Sequence, residues 1–157
     1  MKNFDINMTR EEFLNLWNVS GLVVFPNERA IYASASVKAH TRFKGHGLLL
    51  NFDLYTEEEV FDMGFDFFKQ LKEKLPELDK FALQKIADEN LKYNDTDISL
   101  SEVRMRKPLE GKTDGFYSQF ALTYYNGTAG QYAMMMLHVC FDKDFNFTKC
   151  FVERVSV

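Results

Sequence analysis

Residues 131–142 read QYAMMMLHVCFD, and a turn at Lys143-Asp144 leads to residues 146–155, NFTKCFVERV. In an extended strand successive side chains point to opposite sides. Ala133, Met135, Leu137, Val139 and Phe141 therefore form one face, and Tyr132, Met134, Met136, His138, Cys140 and Asp142 form the other. The first face is apolar throughout and reads as core. The second is apolar at one end and polar at the other, as in a strand that runs from beneath a cover toward solvent or a pocket. The short link at Lys143-Asp144 forces the two segments to pair as antiparallel neighbours.

Working outward, turn signals at Asp114-Gly115 and across residues 126–130 (NGTAG) add strands over 98–106 and 115–125, giving a four-stranded C-terminal meander. Ahead of it lies a helical pair. Thr56 and Glu59 form a capping box, and Val60, Phe61, Gly64, Phe68, Leu71 and Leu75 follow at helical spacing until Pro76, which is expected to end the helix. A second helix is expected over 77–92, with Leu78, Phe81, Ala82, Leu83, Ile86 and Ala87 on its apolar face. The two make an antiparallel pair or one broken arm. Further back, strands over 22–25, 30–38 and 47–54, with a turn at Pro26-Asn27-Glu28-Arg29, read as a three-stranded meander. A capping box at Thr9 and Glu12 starts a short N-terminal helix. The expected fold is α+β: an antiparallel sheet in one or two pieces with helices on one face, all within a single domain spanning residues 1–157.

Composition narrows the function. A net charge of −4 and a pI near 5.4 argue against nucleic acid, whose recognition rests on clustered Lys and Arg. No stretch approaches the ~18 apolar residues of a membrane span, and the start lacks a signal-peptide pattern, so a cytoplasmic protein without a membrane partner is expected. Two cysteines are too few for a disulfide scaffold, and a reducing compartment keeps them as thiols. No Gly-x-Ser-x-Gly elbow, Cys-x-x-Cys pair, His-Glu-x-x-His helix or Gly-rich nucleotide fingerprint occurs, and no cofactor is implied.

Three groups of residues carry candidate chemistry. If partner numbers across the last hairpin sum to about 288, Cys150 lies opposite His138 and beside Cys140, and three soft ligands or thiols converge. A sum of about 290 pairs the cysteines directly instead. Buried cysteines are also common small hydrophobes, so packing competes with thiol chemistry, and a metal site comes last. Arg42, Lys44 and His46 make a cationic loop that suits an anion or a carboxylate of a partner, set against the ordinary polarity of an exposed hairpin tip. Tyr117, Tyr125 and Tyr132 can form an interface on the outer face or edge of the last strands. Asp142-Lys143-Asp144-Phe145-Asn146 starts like a calcium loop, but it lacks the required glycine and glutamate and reads as a tight turn. An apolar cavity lined by Phe116, Phe120, Tyr124, Tyr132, Met134 and Met136 competes with plain core.

The phrase Ala82-Leu83-Gln84-Lys85-Ile86-Ala87 followed by Tyr93-Asn94-Asp95, set between a strand meander and a strand-rich end over residues 21–153, resembles uncharacterised bacterial domains of unknown function. Some of these lie in the immunity-protein neighbourhood of bacterial toxin systems. The resemblance implies a small bacterial cytosolic binding protein and carries over no catalytic residue. The expectation is therefore a non-catalytic binding domain with a protein partner or a second copy of itself. The alternative is a small-ligand or enzymatic domain with an aromatic cavity near His138 and Cys140.

Overall fold

A computed structural model describes residues 24–29, 34–53, 55, 57–63, 65–91, 98–106, 120–127 and 133–156. Among these residues seven strands form one sheet in sequential order: β1 Val24–Arg29, β2 Ser34–Phe43, β3 His46–Asp53, β4 Leu100–Arg106, β5 Phe120–Gly127, β6 Ala133–Phe141 and β7 Phe147–Ser156. Helices α1 Glu57–Asp62 and α2 Phe65–Asp88 separate β3 from β4. The chain is thus α+β. The N-terminal helix expected from Thr9 lies outside the described residues. No helix among the described residues is long and apolar enough to cross a membrane.

The sheet is mixed rather than antiparallel. Every neighbouring pair is antiparallel except β3 and β4, which run parallel. The reason is the helical connection. A hairpin reverses direction, whereas α2, about 36 Å long at 1.5 Å per residue, carries the chain back along the sheet so that β4 starts at the same end as β3. This crossover joins the two meanders edge to edge.

Two punctuation signals read differently in three dimensions. β1 runs through Pro26 where a turn was expected. Among the described residues it is an edge strand, where a residue without an N–H is tolerated. Pro76 lies inside α2 instead of ending a helix. Phe68, Leu71, Leu75, Leu78, Ala82 and Ile86 stay in phase across the proline, and all are buried. Burying each of the larger of these side chains contributes about 1.5–3 kcal/mol, together more than the ~3 kcal/mol cost of a mid-helix proline. Pro76 itself is on the exposed side, where the Lys72 carbonyl it leaves without a partner can be hydrated.

The α2 stripe packs on Leu48, Leu50 and Phe52 of β3, Leu100, Val103 and Met105 of β4, Phe120, Leu122 and Tyr124 of β5, and Leu137, Val139 and Phe141 of β6. The alternation read from β6 therefore assigns Leu137, Val139 and Phe141 correctly to the core face. Phe120 and Tyr124 fill this core rather than a cavity. A polar tie fixes the helix on it: the Tyr124 hydroxyl donates to Asp79 Oδ1 at 2.5 Å, and Lys44 Nζ meets Asp79 Oδ2 at 3.0 Å. Lys44 reaches Asp79 from the two-residue turn between β2 and β3, where Lys44 and Gly45 both have positive φ (51° and 81°). That geometry matches the twist of a tight hairpin.

Candidate functional site

Side chains of the opposite sheet face are buried too, and they include charges. Glu102 on β4, 2% exposed, is the hub. Its Oε2 accepts from Asn51 Nδ2 at 2.9 Å and its Oε1 accepts from the Tyr125 hydroxyl at 2.6 Å. Arg104 Nε lies 2.9 Å from Glu102 Oε2. The N–H is not aligned on that oxygen, so the contact is an ion pair more than a hydrogen bond. Arg104 Nη1 also lies 4.0 Å from Glu153 Oε1, and the same oxygen is 2.8 Å from His138 Nε2. His138 Nδ1 is 2.9 Å from Thr123 Oγ1. Glu153 can only accept, so Nε2 carries the proton and Nδ1 accepts from the threonine hydroxyl.

Register explains why these residues meet. Leu49 and Asn51 lie beside Glu102 and Arg104 in the parallel pair, Glu102 faces Thr123, Thr123 faces His138, and Tyr125 faces Met136, which faces Glu153. Partners across a ladder share a face. Burial lowers the pKa of His138, opposed by its bond to Glu153, and the ring stays neutral near pH 7. Burial and the Glu102 bond hold Tyr125 protonated. Asn51 Oδ1 is a buried acceptor of this group without a hydrogen-bond partner.

The predicted residues are dispersed by this arrangement. His138 and Cys140 share the polar face, but Val139, not His138 or Cys140, pairs with Cys150. Phe141 pairs with Phe147, as a sum of 288 requires, but the next pair is Cys140 with Lys149. Thr148 is the extra residue of a bulge, and its hydroxyl donates to the Cys140 carbonyl at 3.1 Å. One inserted residue sends every later side chain of β7 to the other face. Cys150 thus lies on the helix side, where its Sγ donates to Glu89 Oε2 at 3.0 Å. Both expected registers are corrected, and with them the convergence of His138, Cys140 and Cys150. Both cysteines are free thiols. Burial pushes each up to about 12, and the Glu89 carboxylate adds to the effect at Cys150. Neither is a thiolate near neutral pH. Among the described residues no group of three His, Cys, Asp or Glu is placed to hold a metal.

At the β2–β3 hairpin, Arg42 on β2, Lys44 in the turn and His46 on β3 are all exposed, and Lys44 pairs with Asp79. Of the tyrosines, Tyr125 is half-buried and bonded to Glu102. Tyr117 and Tyr132 lie outside the described residues, as does Phe116.

An open groove lies on the helix side, at the β6–β7 turn. Its cavity volume is about 450 Å³, and its walls are Phe81, Leu78, Lys74 and Glu77 of α2 together with Phe141, Phe145, Asn146 and Phe147. Phe81 is 40% exposed, the one large apolar side chain so exposed among the described residues. Its ring centroid is 5.5 Å from that of Phe147 and 6.0 Å from that of Phe141. Lys85 Nζ stands 4.7 Å from the Phe147 centroid, and Lys74 Nζ 5.6 Å from that of Phe145.

The turn itself is built around Asp142, whose Oδ1 accepts from the Asp144 and Asn146 amides at 2.8 and 3.0 Å. These backbone bonds, Asn146 first, lower its carboxyl pKa. The segment is a tight turn as expected, and it forces Phe145 to φ 67°, a region bulky residues rarely adopt. Stacking of Phe145 on Phe67, at 5.5 Å, holds it there. The sequence carried a signal for this groove that composition masked: Phe141 and Phe145 flank the hydrophilic Asp142-Lys143-Asp144, and Phe147 follows.

No family model, no curated protein and no solved structure matches this chain.

Proposed function

We propose that this chain is a non-catalytic binding domain and that the aromatic groove between α2 and the β6–β7 turn is its recognition site. The observation that carries the reading is the exposed Phe81 at the mouth of a cavity of about 450 Å³, walled by three further phenylalanines. That volume falls within the ~300–1,000 Å³ of ligand pockets, which are concave and mostly apolar. A strained Phe145 in the wall fits the tendency of backbone outliers to gather at functional positions.

The groups an enzyme would use are placed otherwise. His138 is fully buried with both ring nitrogens bonded, and the two thiols are protonated. These facts support binding over catalysis and favour the groove over the vicinity of His138 and Cys140.

The test uses 8-anilinonaphthalene-1-sulfonate, whose rings suit the groove and whose sulfonate suits Lys74 and Lys85. Saturable binding to the folded chain is expected, weakened about tenfold or more by Phe81→Ser with little change in melting temperature. Unchanged dye affinity in that variant would falsify the assignment.

A further inference from the structure

α2 is held to the sheet on two flanks. On one, Asp79 is 3% exposed, with the Tyr124 hydroxyl of β5 donating to Oδ1 and Lys44 Nζ of the β2–β3 turn donating to Oδ2. On the other, Phe81 packs on Phe141 of β6 and Phe147 of β7 and walls the groove. Two residues apart at 3.6 residues per turn, Asp79 and Phe81 stand about 160° from each other around the helix axis. The buried stripe of Leu75, Leu78 and Ala82 runs between them. A helix turns as one body, so a roll that lifts Asp79 off the sheet lowers Phe81 onto it.

The three groups of the tie differ in access. Tyr124 is fully buried and the Asp79 side chain is 5% exposed, whereas that of Lys44 is 55% exposed. Among the described residues Lys44 is the one cation paired with Asp79. Its charge is open to screening by salt and to removal by acylation, and either acts on the only counter-charge of a buried carboxylate. Such a carboxylate is costly to bury alone, and moving outward hydrates it. At the ~5–6 Å radius of a helix with its side chains, a roll of about 10° carries Phe81 about 1 Å toward Phe141 and Phe147. A misfit of about 1 Å is enough to forfeit much of the dispersion contact with a bound ring.

We propose that the tie from Lys44 through Asp79 to Tyr124 is a latch that fixes the roll of α2 and holds the groove open, and that loss of the Lys44 charge releases it. Lys44 and Asp79 are then positioning residues for a site they do not line. This rests on the groove being the recognition site.

The experiment measures affinity for 8-anilinonaphthalene-1-sulfonate on the full chain, under conditions where every variant is folded. Lys44→Met is expected to weaken binding about fivefold or more, the lower range of coupling between separate sites. Asp79→Asn is expected to bind as the parent does, because the amide oxygen still accepts from Tyr124 and no charge is left to draw the helix outward. The double variant Lys44→Met with Asp79→Asn should bind like the parent as well; Asp79→Ser takes the place of Asp79→Asn if the amide variant does not fold. This recovery separates a latch from a direct attraction between Lys44 and the dye's sulfonate, which would be lost in both backgrounds alike. Equal weakening by Lys44→Met with and without Asp79→Asn therefore overturns the latch. So does unchanged affinity in Lys44→Met while Phe81→Ser still weakens the dye, and in both of these cases the groove reading stands. Affinity indifferent to Phe81→Ser overturns the groove and the latch together.

Discussion

The two faces of the sheet bury polar groups in different ways. On the α2 face the buried polar groups are few: the tie from Tyr124 to Asp79 to Lys44, with Thr41 of β2 and Asn126 of β5, set around a continuous apolar core. On the other face Glu102, Arg104, Glu153, His138, Thr123, Tyr125 and Asn51 share a network, beside a small apolar cluster of Ala121, Cys140 and Phe151. A buried charge is tolerable only when its partners are in place, so such a network fixes which strands pair and in what register more than it adds net stability. The apolar face instead leaves an unfilled cavity at its margin. On the reading proposed above, buried polarity on one side specifies the fold and exposed apolar surface on the other recognises a partner.

The sharpest way to break this contrast is to remove the hub. Glu102→Ala leaves Tyr125, Asn51 and Arg104 without their shared acceptor and is expected to cost about 3–5 kcal/mol in urea unfolding. A loss under about 1 kcal/mol would mean that solvent satisfies these groups and that the network specifies little. Tyr124→Phe removes the donor to Asp79 under the helix, and about 1–3 kcal/mol should be lost.

The third contrast is in pH. The folded pKa of His138 is depressed, so the unfolded chain binds its proton more readily. The stability this group contributes is present above its unfolded pKa of about 6.5 and is lost as pH falls from there through the folded value. Unfolding free energies of the parent chain should therefore decline by up to about 1.4 kcal/mol per pH unit relative to His138→Gln in that window. Parallel pH profiles would contradict a neutral, buried ring.

The smallest effect is chemical. Iodoacetamide should label both thiols slowly in the folded chain at neutral pH, the half-buried Cys150 ahead of Cys140. Rapid labelling of Cys140 would mean that the polar face opens readily.

Period-two patterning made much of this fold legible. The inward set Leu137, Val139 and Phe141 and the antiparallel meanders follow from alternation and turn chemistry alone. The parallel junction of β3 with β4 did not, because it depends on where a long helix returns the chain. Pro76 reads as a stop in sequence, since the in-phase stripe on both sides of it gains its weight only from a core to pack on. The network was hidden for another reason: in Leu100-Ser101-Glu102-Val103-Arg104-Met105 the charges alternate with apolar residues just as they would on a solvated face. Asn51, their partner across the parallel pair, is 51 residues from Glu102. The site residues suffered most from one residue. Thr148 inserts a bulge, and a register that joins His138 to Cys150 on paper separates them by the thickness of the sheet.

The central claim is that recognition and fold specification reside on different faces. Its most direct test measures affinity for 8-anilinonaphthalene-1-sulfonate and the urea midpoint together, for Phe81→Ser and Glu102→Gln. The account predicts that Phe81→Ser loses about tenfold or more in affinity with a nearly unchanged midpoint, and that Glu102→Gln lowers the midpoint while the fraction still folded binds normally. The reverse pattern, with affinity following Glu102 and indifferent to Phe81, would place recognition on the polar face and contradict the assignment.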